Sequence, residues 1–329
     1  MILLTGASGF LGRHLVSEFS HRGAWLRAVV RAQSDVAFLR EQGVQLAPVT
    51  DIGDRAALKA ACGGCRTVIH AAGHFRMWGN LCRFWETNVG GTDAVLRAAL
   101  EAGVQRVVVV STVVVAGRTM PGRVVDETHP CRPQDAYQRT KWEAERLALA
   151  YARNCDLDVV IVRPGALYGP WGRYAFNRLF FEDPLRGWRI KVNGGRHVTF
   201  PVFVPDVARA ILLALKKGRP GQIYNISGES LSHNAVNATV SALAGISPWR
   251  LNVPTAAVLA LAHTWTALSR LTRREPFYPI NMVPYVFQDW SINSQKAQTE
   301  LGFTPTPFVD GAQTTLEWYW QQGILKRKT

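Results

Sequence analysis

The sequence has too few cysteines and too short apolar runs for several classes of protein. Its five cysteines are an odd number, which predicts reduced thiols rather than a disulfide framework. An apolar strand begins at Ile2, where a secretory leader would need a basic start, and no apolar run is long and uncharged enough to cross a bilayer. We therefore expect a cytoplasmic protein.

Sequence motifs with the spacing of metal ligands are scarce as well. Cys62 and Cys65 form a CxxC pair, but no second pair and no neighbouring histidine cluster completes a zinc site. We interpret the pair as two incidental thiols in a loop and expect no bound metal.

Acidic residues are outnumbered, with 24 against 38 lysines and arginines, which gives a formal net charge of +14. Such a balance suits nucleic acid, an anionic membrane surface or a phosphate-rich cofactor as partner. The basic residues are mostly scattered and no nucleic-acid motif is present, so we expect no nucleic-acid partner. With 47% hydrophobic residues, the chain is long enough for one large α/β domain or two domains that share a sheet edge.

The first twelve residues are the most informative stretch of the chain. An apolar strand runs into Gly6, Gly9 and Gly12, and a helical pattern follows from Arg13 to His21. The glycines suit a tight turn, a close backbone approach to a pyrophosphate, and tight packing of helix on strand. The N–H groups at the start of the helix would face the phosphates. This loop predicts a dinucleotide site formed by Gly6, Ser8, Gly9, Phe10, Leu11 and Gly12.

The end of the second predicted strand, 24–31, distinguishes the two nicotinamide cofactors. An acidic residue there would bind the 2′-hydroxyl of NAD, but the position is Arg31. A guanidinium suits the 2′-phosphate of NADP through charge-assisted hydrogen bonds. We therefore predict NADP, with NAD less favoured.

Other predicted strand ends bring small or polar residues to the same edge. The strand 67–70 runs into Ala71, Ala72 and Gly73, which allow a ligand to approach the backbone closely. The loop with Asp51 and Ile52 is placed to reach the adenine. These five residues complete the cofactor contacts that the strand pattern predicts.

Strands and helices alternate regularly up to Gly169, which predicts a doubly wound parallel sheet with right-handed crossovers. We assign residues 1–169 to an NADP-binding domain and residues 170–329 mainly to a smaller substrate-binding region. The stretch 200–227 is expected to return to the sheet.

A Tyr-x-x-x-Lys pattern follows in the helix predicted after Asp135. Spacing of four places Tyr137 and Lys141 on one helical face, and Ser111 and Thr112 stand at the end of the buried strand 104–110. A phenol has an ordinary pKa of about 10, and an adjacent cation together with a nicotinamide charge would favour its phenolate.

In order and spacing, these stretches resemble the extended short-chain dehydrogenase/reductase family, especially its branch of 3β-hydroxysteroid dehydrogenases and dihydroflavonol reductases. The resemblance covers almost the whole chain and rests on TGASGFLG, HAAG, Tyr-x-x-x-Lys, the Arg-Pro-Gly strand end and LGFTP near the C-terminus. It implies a Rossmann fold of the epimerase/dehydratase superfamily. It also implies a homodimer packed through the helices at 92–102 and 137–153.

The same resemblance implies a role for each matching residue. Tyr137 would exchange a proton with the substrate oxygen, and Lys141 would lower the pKa of that phenol and hold the nicotinamide ribose. Thr112 would hydrogen-bond the substrate oxygen, with Ser111 as the neighbouring candidate. The cofactor contacts that it adds are Asn88, Ser111, Tyr137, Lys141, Pro164 and Gly165.

Aromatic residues, with few carboxylates beside them, surround the expected substrate position and favour an apolar ligand. We expect an oxidoreductase that reduces a ketone or oxidises a secondary alcohol on a steroid-, polyketide- or flavonoid-like substrate. The lining residues proposed are Phe75, Trp78, Tyr168 and Tyr174, with Trp85, Trp171 and Phe176 close to them in sequence.

Two other functions remain open at this point. A sugar-nucleotide epimerase or dehydratase would hold a diphosphate through basic residues, here Arg173, Arg178, Arg186, Arg189 and Arg196. A non-catalytic NADP-binding regulator or assembly factor would need no working Tyr–Lys pair, and the intact pattern disfavours it.

The stretch Val253–Leu271 is mostly apolar, and Arg270, Arg273 and Arg274 lie at its end. It predicts either a helix that covers the substrate or an interfacial helix, within 253–274, in peripheral contact with a membrane. The covering helix is the favoured interpretation.

Overall fold

The computed structural model describes residues 1–120, 122–272, 275–276 and 278–326, apart from the side chain of residue 270. Its central sheet contains β1 Ile2–Thr5, β2 Leu26–Val30, β3 Gln45–Pro48, β4 Thr67–His70, β5 Arg106–Val110, β6 Asp158–Pro164 and β7 Ile223–Ile226. The strands are parallel, in the order β7-β6-β5-β4-β1-β2-β3. This confirms the predicted doubly wound sheet, and its strand order reverses beside β1, where open α/β sheets bind ligands.

Helices connect the strands and cover both faces of the sheet. They are α1 Phe10–Ser20, α2 Ala37–Glu41, α3 Arg55–Cys62, α4 Leu81–Phe84, α5 Gly91–Glu101, α6 Ala136–Asn154, α7 Asp183–Leu185, α8 Val204–Lys217, α9 His233–Leu243, α10 Thr255–Thr272, α11 Val283–Val286, α12 Gln295–Leu301 and α13 Phe308–Gln321. One apolar layer joins α1, α8 and α12 to the sheet, and a second joins α3, α5 and α6. Because both faces are covered, β5 and β6 are apolar along most of their length.

Short two-stranded pairs build much of the remaining region. They join Ala166–Tyr168 to Pro201–Phe203, Val198–Thr199 to Leu231–Ser232, Ile190–Val192 to Leu251–Val253, and Val124–Val125 to Ser291–Ile292. The strand β7, from the stretch expected to return to the sheet, pairs with β6.

Tyr168 lies in the core of this region, which corrects the prediction that it lines the substrate site. Its ring is 1% exposed and packs against Phe176, Phe181, Phe203 and Phe308. The strand that carries Tyr168 pairs in register with Pro201–Phe203, and this pairing sets the aromatic ring inside the cluster.

The CxxC pair stands at the end of α3, where both side chains are buried. Burial raises the pKa of Cys62 to about 12, so its thiolate, the form that attacks or binds metal, is disfavoured. Within the described residues, no group of three or more potential metal-ligating side chains comes together.

Among the residues that the structure describes, no helix combines the length and the apolar character that crossing a membrane requires.

Candidate active site

The turn after β1 leaves room only for glycine at two of its positions. Gly6 has φ +76°, and a Cβ there would lie 2.7 Å from the Ala72 nitrogen. A Cβ on Gly12 would lie 2.1 Å from the Gly6 oxygen and 2.6 Å from the Ala7 carbonyl carbon. The loop is therefore lined by backbone, as close approach to a pyrophosphate requires.

The helix after this turn begins without a side-chain cap. Gly9 is the exposed N-cap residue, and among the described side chains none accepts a hydrogen bond from the first turn of α1. The orphan N–H groups and the helix dipole make this end a site for an anion. Ser8, Phe10 and Leu11 lie half-buried around it. The predicted loop thus fits the pyrophosphate of a dinucleotide.

A directed hydrogen-bond chain joins the ends of β1 and β4. The Thr92 hydroxyl donates to the Asn88 carbonyl oxygen (2.6 Å), so it accepts from His70 Nε2 (3.0 Å). His70 Nδ1 then accepts from the Thr5 hydroxyl (2.8 Å), which in turn accepts from the Ala72 N–H (3.2 Å). Every member is satisfied only while His70 is neutral. His70 is therefore a structural residue that fixes the backbone beside Gly6.

Acid should destabilise the fold through its buried neutral histidines. Burial lowers the pKa of His70 from 6.5 to about 3, and those of His14 and His233 to about 4. The unfolded chain takes up these protons below its pKa of about 6.5 and the folded chain does not. Stability is therefore fully present above that pH and is lost as the pH falls towards about 4. Each histidine contributes a slope of up to about 1.4 kcal/mol per pH unit.

Urea denaturation between about pH 7 and pH 5 measures this slope. The His70→Gln variant retains an acceptor for Thr5 and a donor for Thr92 but cannot take up the proton, so its slope should be smaller, by up to about 1.4 kcal/mol per pH unit at the acidic end of this range. An unchanged slope would contradict the assignment.

Asn88 serves the protein's interior, which corrects its prediction as a cofactor contact. The side chain is 1% exposed; Oδ1 accepts from the His74 N–H (2.7 Å), and Nδ2 donates to the His74 oxygen (3.3 Å) and to Thr140 Oγ1 (3.0 Å). Its whole amide is therefore engaged by the loop after β4 and by α6. Asn88 holds the helix with the Tyr-x-x-x-Lys pattern against the cofactor edge.

The adenosine end of the predicted site is open. Arg31 is exposed at the end of β2, and its backbone N–H donates to Ser34 Oγ (3.1 Å). Asp51 is exposed and accepts from the Gly53 N–H (2.6 Å), so it shapes its own turn, while Ile52 packs against Gly91 of α5. The contact of Arg31 with a 2′-phosphate and the adenine contact of Asp51 and Ile52 stay predictions.

Two hydroxyls at the ends of β5 and β7 are buried and have no partner among the described residues, namely those of Ser111 and Ser227. Such an orphaned polar group costs free energy unless a ligand or water satisfies it. Gly165, after β6 and Pro164, lies beside Ser227: a Cβ there would be 3.0 Å from its Oγ and 2.6 Å from the Phe200 oxygen. The edge thus fits a polar cofactor. Ser227 was not predicted; its one signal is its place directly after a strand.

The structure brings Thr112, Tyr137 and Lys141 to this same edge. The Tyr137 phenol lies within hydrogen-bonding reach of the Thr112 hydroxyl. Lys141 is buried one turn further along α6, and its Nζ donates to the Val110 oxygen at the end of β5 (2.6 Å). A substrate carbonyl oxygen between Thr112 and Tyr137 would meet two hydroxyl groups, as proton transfer to that oxygen requires.

The protein's own groups raise the pKa of Tyr137, and the lowering of this pKa by Lys141 together with a nicotinamide charge stays a prediction. Burial is the main cause of the increase, the Asp135 carboxylate adds to it, and the hydrogen bond with Thr112 opposes it. Burial also lowers the pKa of Lys141 to about 8, with Glu145 opposing, so the ammonium form still prevails at neutral pH. Tyr137 is therefore held as a neutral acid, ready to donate its proton.

Two of the predicted substrate residues form an aromatic wall beside Tyr137. The ring centroid of Phe75 lies 4.8 Å from that of Tyr137 and 5.7 Å from that of Tyr174. The Tyr174 hydroxyl accepts from the Met77 N–H (3.0 Å) and donates to Glu275 (2.5 Å). Trp78 is half-buried on the same loop. The reacting oxygen would therefore enter past an apolar surface.

Tyr285 was missed in the sequence, although it contacts the catalytic region. Its hydroxyl donates to Asp135 Oδ2 (2.6 Å), and Asp135 caps α6 by accepting from the Gln138 N–H (2.8 Å). Tyr285 also packs in the cluster that includes Tyr137 and the buried Trp290. It joins the C-terminal region to the helix that carries Tyr137.

Comparison with known proteins adds evidence on the whole chain. Residues 2–227 match the model of the NAD dependent epimerase/dehydratase family. A ketoreductase from Stigmatella aurantiaca, named for 4-hydroxy-2-methyl-3-oxo-4-farnesyl-3,4-dihydroquinoline-1-oxide, is 33% identical over 91% of this chain and 90% of its own. Sterol demethylase protein B of Methylococcus capsulatus is 30% identical over 98% of this chain and 99% of its own.

A solved structure gives a similar picture of the fold. DesIV, a dTDP-glucose 4,6-dehydratase from Streptomyces venezuelae with NAD and TYD bound, matches with a TM-score of 0.80 at 26% identity. The match covers 99% of this chain and 98% of DesIV.

Proposed function

Because this chain belongs to the NAD dependent epimerase/dehydratase family, we propose that it is an NADP-dependent oxidoreductase that reduces a ketone, or oxidises the corresponding secondary alcohol, on a largely apolar substrate. One observation carries the substrate class: the ring of Phe75 lies directly against that of Tyr137, with Tyr174 behind it. An apolar wall with a few placed hydroxyls suits a hydrophobic carbonyl compound. The substrates after which the farnesyl-quinoline ketoreductase and the sterol demethylase protein are named support the same class.

The residues divide the chemistry among them. A bound nicotinamide cofactor supplies the hydride for carbonyl reduction. The Tyr137 hydroxyl donates the proton that the substrate oxygen needs, and the Thr112 hydroxyl holds that oxygen. Lys141 places a positive charge behind them and favours the phenolate that the transfer leaves. In alcohol oxidation the Tyr137 phenolate takes the proton from the alcohol hydroxyl and becomes the neutral phenol again.

The sugar-nucleotide alternative loses support from its own arginines. Arg173 donates to Glu182 (2.6 Å), and Arg186 pairs with the same carboxylate (3.2 Å). Arg178 lies 3.7 Å from Asp183. Three of the five arginines expected to hold a diphosphate therefore face carboxylates of this chain. Because this chain is similar to a dTDP-glucose dehydratase, the sugar-nucleotide function is the alternative that an experiment has to distinguish from ketone reduction.

A substrate comparison tests the proposal. Purified protein with NADPH should consume the cofactor in the presence of apolar cyclic ketones and leave dTDP-glucose and UDP-glucose unchanged. Conversion of a nucleotide sugar without net cofactor consumption would support the epimerase or dehydratase instead. A protein that binds NADPH and converts neither class would be the non-catalytic regulator.

The choice of NADP depends on Arg31. Because charge-assisted hydrogen bonds contribute about 1.5–3 kcal/mol, the Arg31→Ser variant should raise the Kd of NADPH about 10- to 100-fold and change that of NADH little. Fluorescence titration measures both constants. The matched control is Arg22→Ser, which removes an exposed guanidinium just beyond the C-terminal end of α1. The predicted pyrophosphate site is at the N-terminal end of this helix. If Arg31→Ser weakened the binding of NADPH and NADH equally, or changed neither, the proposed preference for NADP would be contradicted.

We also propose a homodimer that packs through α5 and α6. The two helices contact one another and leave a groove lined by Arg97, Leu100, Leu147 and Ala150. Light scattering of the purified chain should give twice its 36.5 kDa mass, and a monomer would refute the proposal.

A further inference from the structure

A two-stranded ribbon exposes four large apolar side chains. The strands Ile190–Val192 and Leu251–Val253 are parallel, with Ile190 beside Leu251. Trp188 and Trp249 stand two residues before these partners, just outside the two strands. The four are 58%, 46%, 64% and 52% exposed in the order Trp188, Ile190, Trp249, Leu251. We call these four residues the tryptophan ribbon.

The helix α10 follows the ribbon after Pro254, and its large apolar residues are exposed rather than buried. Leu261, Trp265 and Leu268, spaced by four and three residues, are exposed on one helical face. Among the described side chains of α10, the buried ones are the small residues Ala262 and Ser269. A helix that only covers a core turns its large apolar residues inward, whereas α10 exposes three of them, and a covering role over the substrate stays a prediction. The exposed apolar surface marks an interaction site.

The described segments around this surface carry basic but no acidic residues. Residues 184–205 and 230–272 contain no aspartate or glutamate. Arg196 is exposed there and Arg189 and Lys191 are half-buried, whereas Arg186 pairs with Glu182 and Arg250 is buried. This asymmetry exceeds that of the whole chain, in which acids are 24 against 38 bases. The surface is therefore complementary to an anionic partner.

We propose that the tryptophan ribbon and the exposed face of α10 dock this protein on the surface of an anionic lipid bilayer. Tryptophan is suited to the headgroup region because its ring is apolar and its indole N–H is polar. Leucine and isoleucine side chains add buried apolar area, and lysine and arginine attract anionic headgroups. The contact is peripheral, since within the described residues no helix meets the length and apolar character of a membrane span.

Docking on this face would bring the substrate entrance to the lipid. Glu275, just beyond α10, accepts the hydrogen bond of Tyr174, whose ring contacts Phe75. A small cavity beside them is lined by Met77, Tyr174, Tyr278 and Met282, together with the charged Arg178, Asp183 and Glu275. Delivery of substrate from the bilayer rests on the proposed apolar substrate, whereas the docking itself does not.

Vesicle sedimentation with the full-length protein tests the docking. The protein should sediment with vesicles of phosphatidylcholine mixed with phosphatidylglycerol, less with phosphatidylcholine alone, and less again at high salt. Trp249→Ser should weaken binding about tenfold, because one large apolar anchor is lost. Trp25→Ser is the matched control, since Trp25 is 78% exposed but precedes β2; its binding should equal that of the wild type.

Leu268→Ser, on α10, provides an independent variant and should also weaken binding. Circular dichroism shows that each variant is folded. Equal binding by Trp249→Ser and Trp25→Ser, or no sedimentation of the wild type with mixed vesicles, would overturn the proposal. Loss of self-association in Trp249→Ser without any vesicle binding would overturn it too, and would assign the face to a second copy of the chain. Because sedimentation needs no catalysis, failure of the proposed activity would leave this result intact.

Discussion

Replacement of Tyr137 by phenylalanine should lower kcat for ketone reduction about 10²- to 10⁴-fold and leave the Kd of NADPH unchanged. The substitution removes the proton donor beside Thr112 but keeps the ring that packs 4.8 Å from Phe75. Because burial favours an apolar side chain at this position, the variant should fold. Steady-state kinetics and fluorescence titration of the cofactor separate the two effects.

Tyr151→Phe is the control for loss of a phenol on the same helix. Tyr151 lies near the end of α6 and donates to Asp93 Oδ1 (2.8 Å), away from Thr112. Its removal should leave kcat unchanged. A Tyr137→Phe enzyme with kcat near that of the wild type would refute the role of Tyr137 as acid.

Gly12→Ala should destabilise the fold by about 1–3 kcal/mol and abolish dinucleotide binding. The new methyl group would stand 2.1 Å from the Gly6 oxygen and 2.6 Å from the Ala7 carbonyl carbon. Both atoms belong to the backbone of the turn, so the clash can be relieved only by a shift of the loop or of α1. Urea denaturation and cofactor titration report the two losses.

Gly90→Ala is the matched control for that change. Gly90 has helical angles, φ −60° and ψ −43°, and the nearest atom to its added Cβ would be the Trp85 oxygen at 3.9 Å. An alanine there should stabilise the protein by about 0.5–1 kcal/mol and leave cofactor binding unchanged. If Gly12→Ala bound NADPH normally, the glycine turn would not be the pyrophosphate site.

The parts of the fold that were predicted correctly depend on local patterns. The glycine turn identified β1, α1 and the edge between β1 and β4. Glycine is required at positions 6 and 12 because of contacts within a few residues or across neighbouring strands. The spacing of Tyr137 and Lys141 is likewise a property of one helix. Even here α1 begins at Phe10 rather than Arg13, since Gly9 is the N-cap residue.

The errors and omissions concern contacts between distant parts of the chain. Tyr285 and Asp135 are 150 positions apart, and no local pattern predicts their hydrogen bond. Tyr168 looked like a substrate residue because it is aromatic, but the strand 201–203 turns it into the core. Trp188 and Trp249 become neighbours only through the pairing of Ile190 with Leu251. In each case the partner decides whether a side chain is buried, exposed or available to a ligand.

Transfer of deuterium from NADPH that carries deuterium at both C4 positions tests hydride transfer to a ketone with Tyr137 as the acid. We expect an apolar ketone to be converted to an alcohol with one deuterium on the carbinol carbon and an equal amount of NADP⁺ to form, and we expect Tyr137→Phe to do neither at an appreciable rate. Mass spectrometry of the product measures the label. Turnover of a nucleotide sugar with no net formation of NADP⁺, or label transfer by Tyr137→Phe at the wild-type rate, would contradict this mechanism.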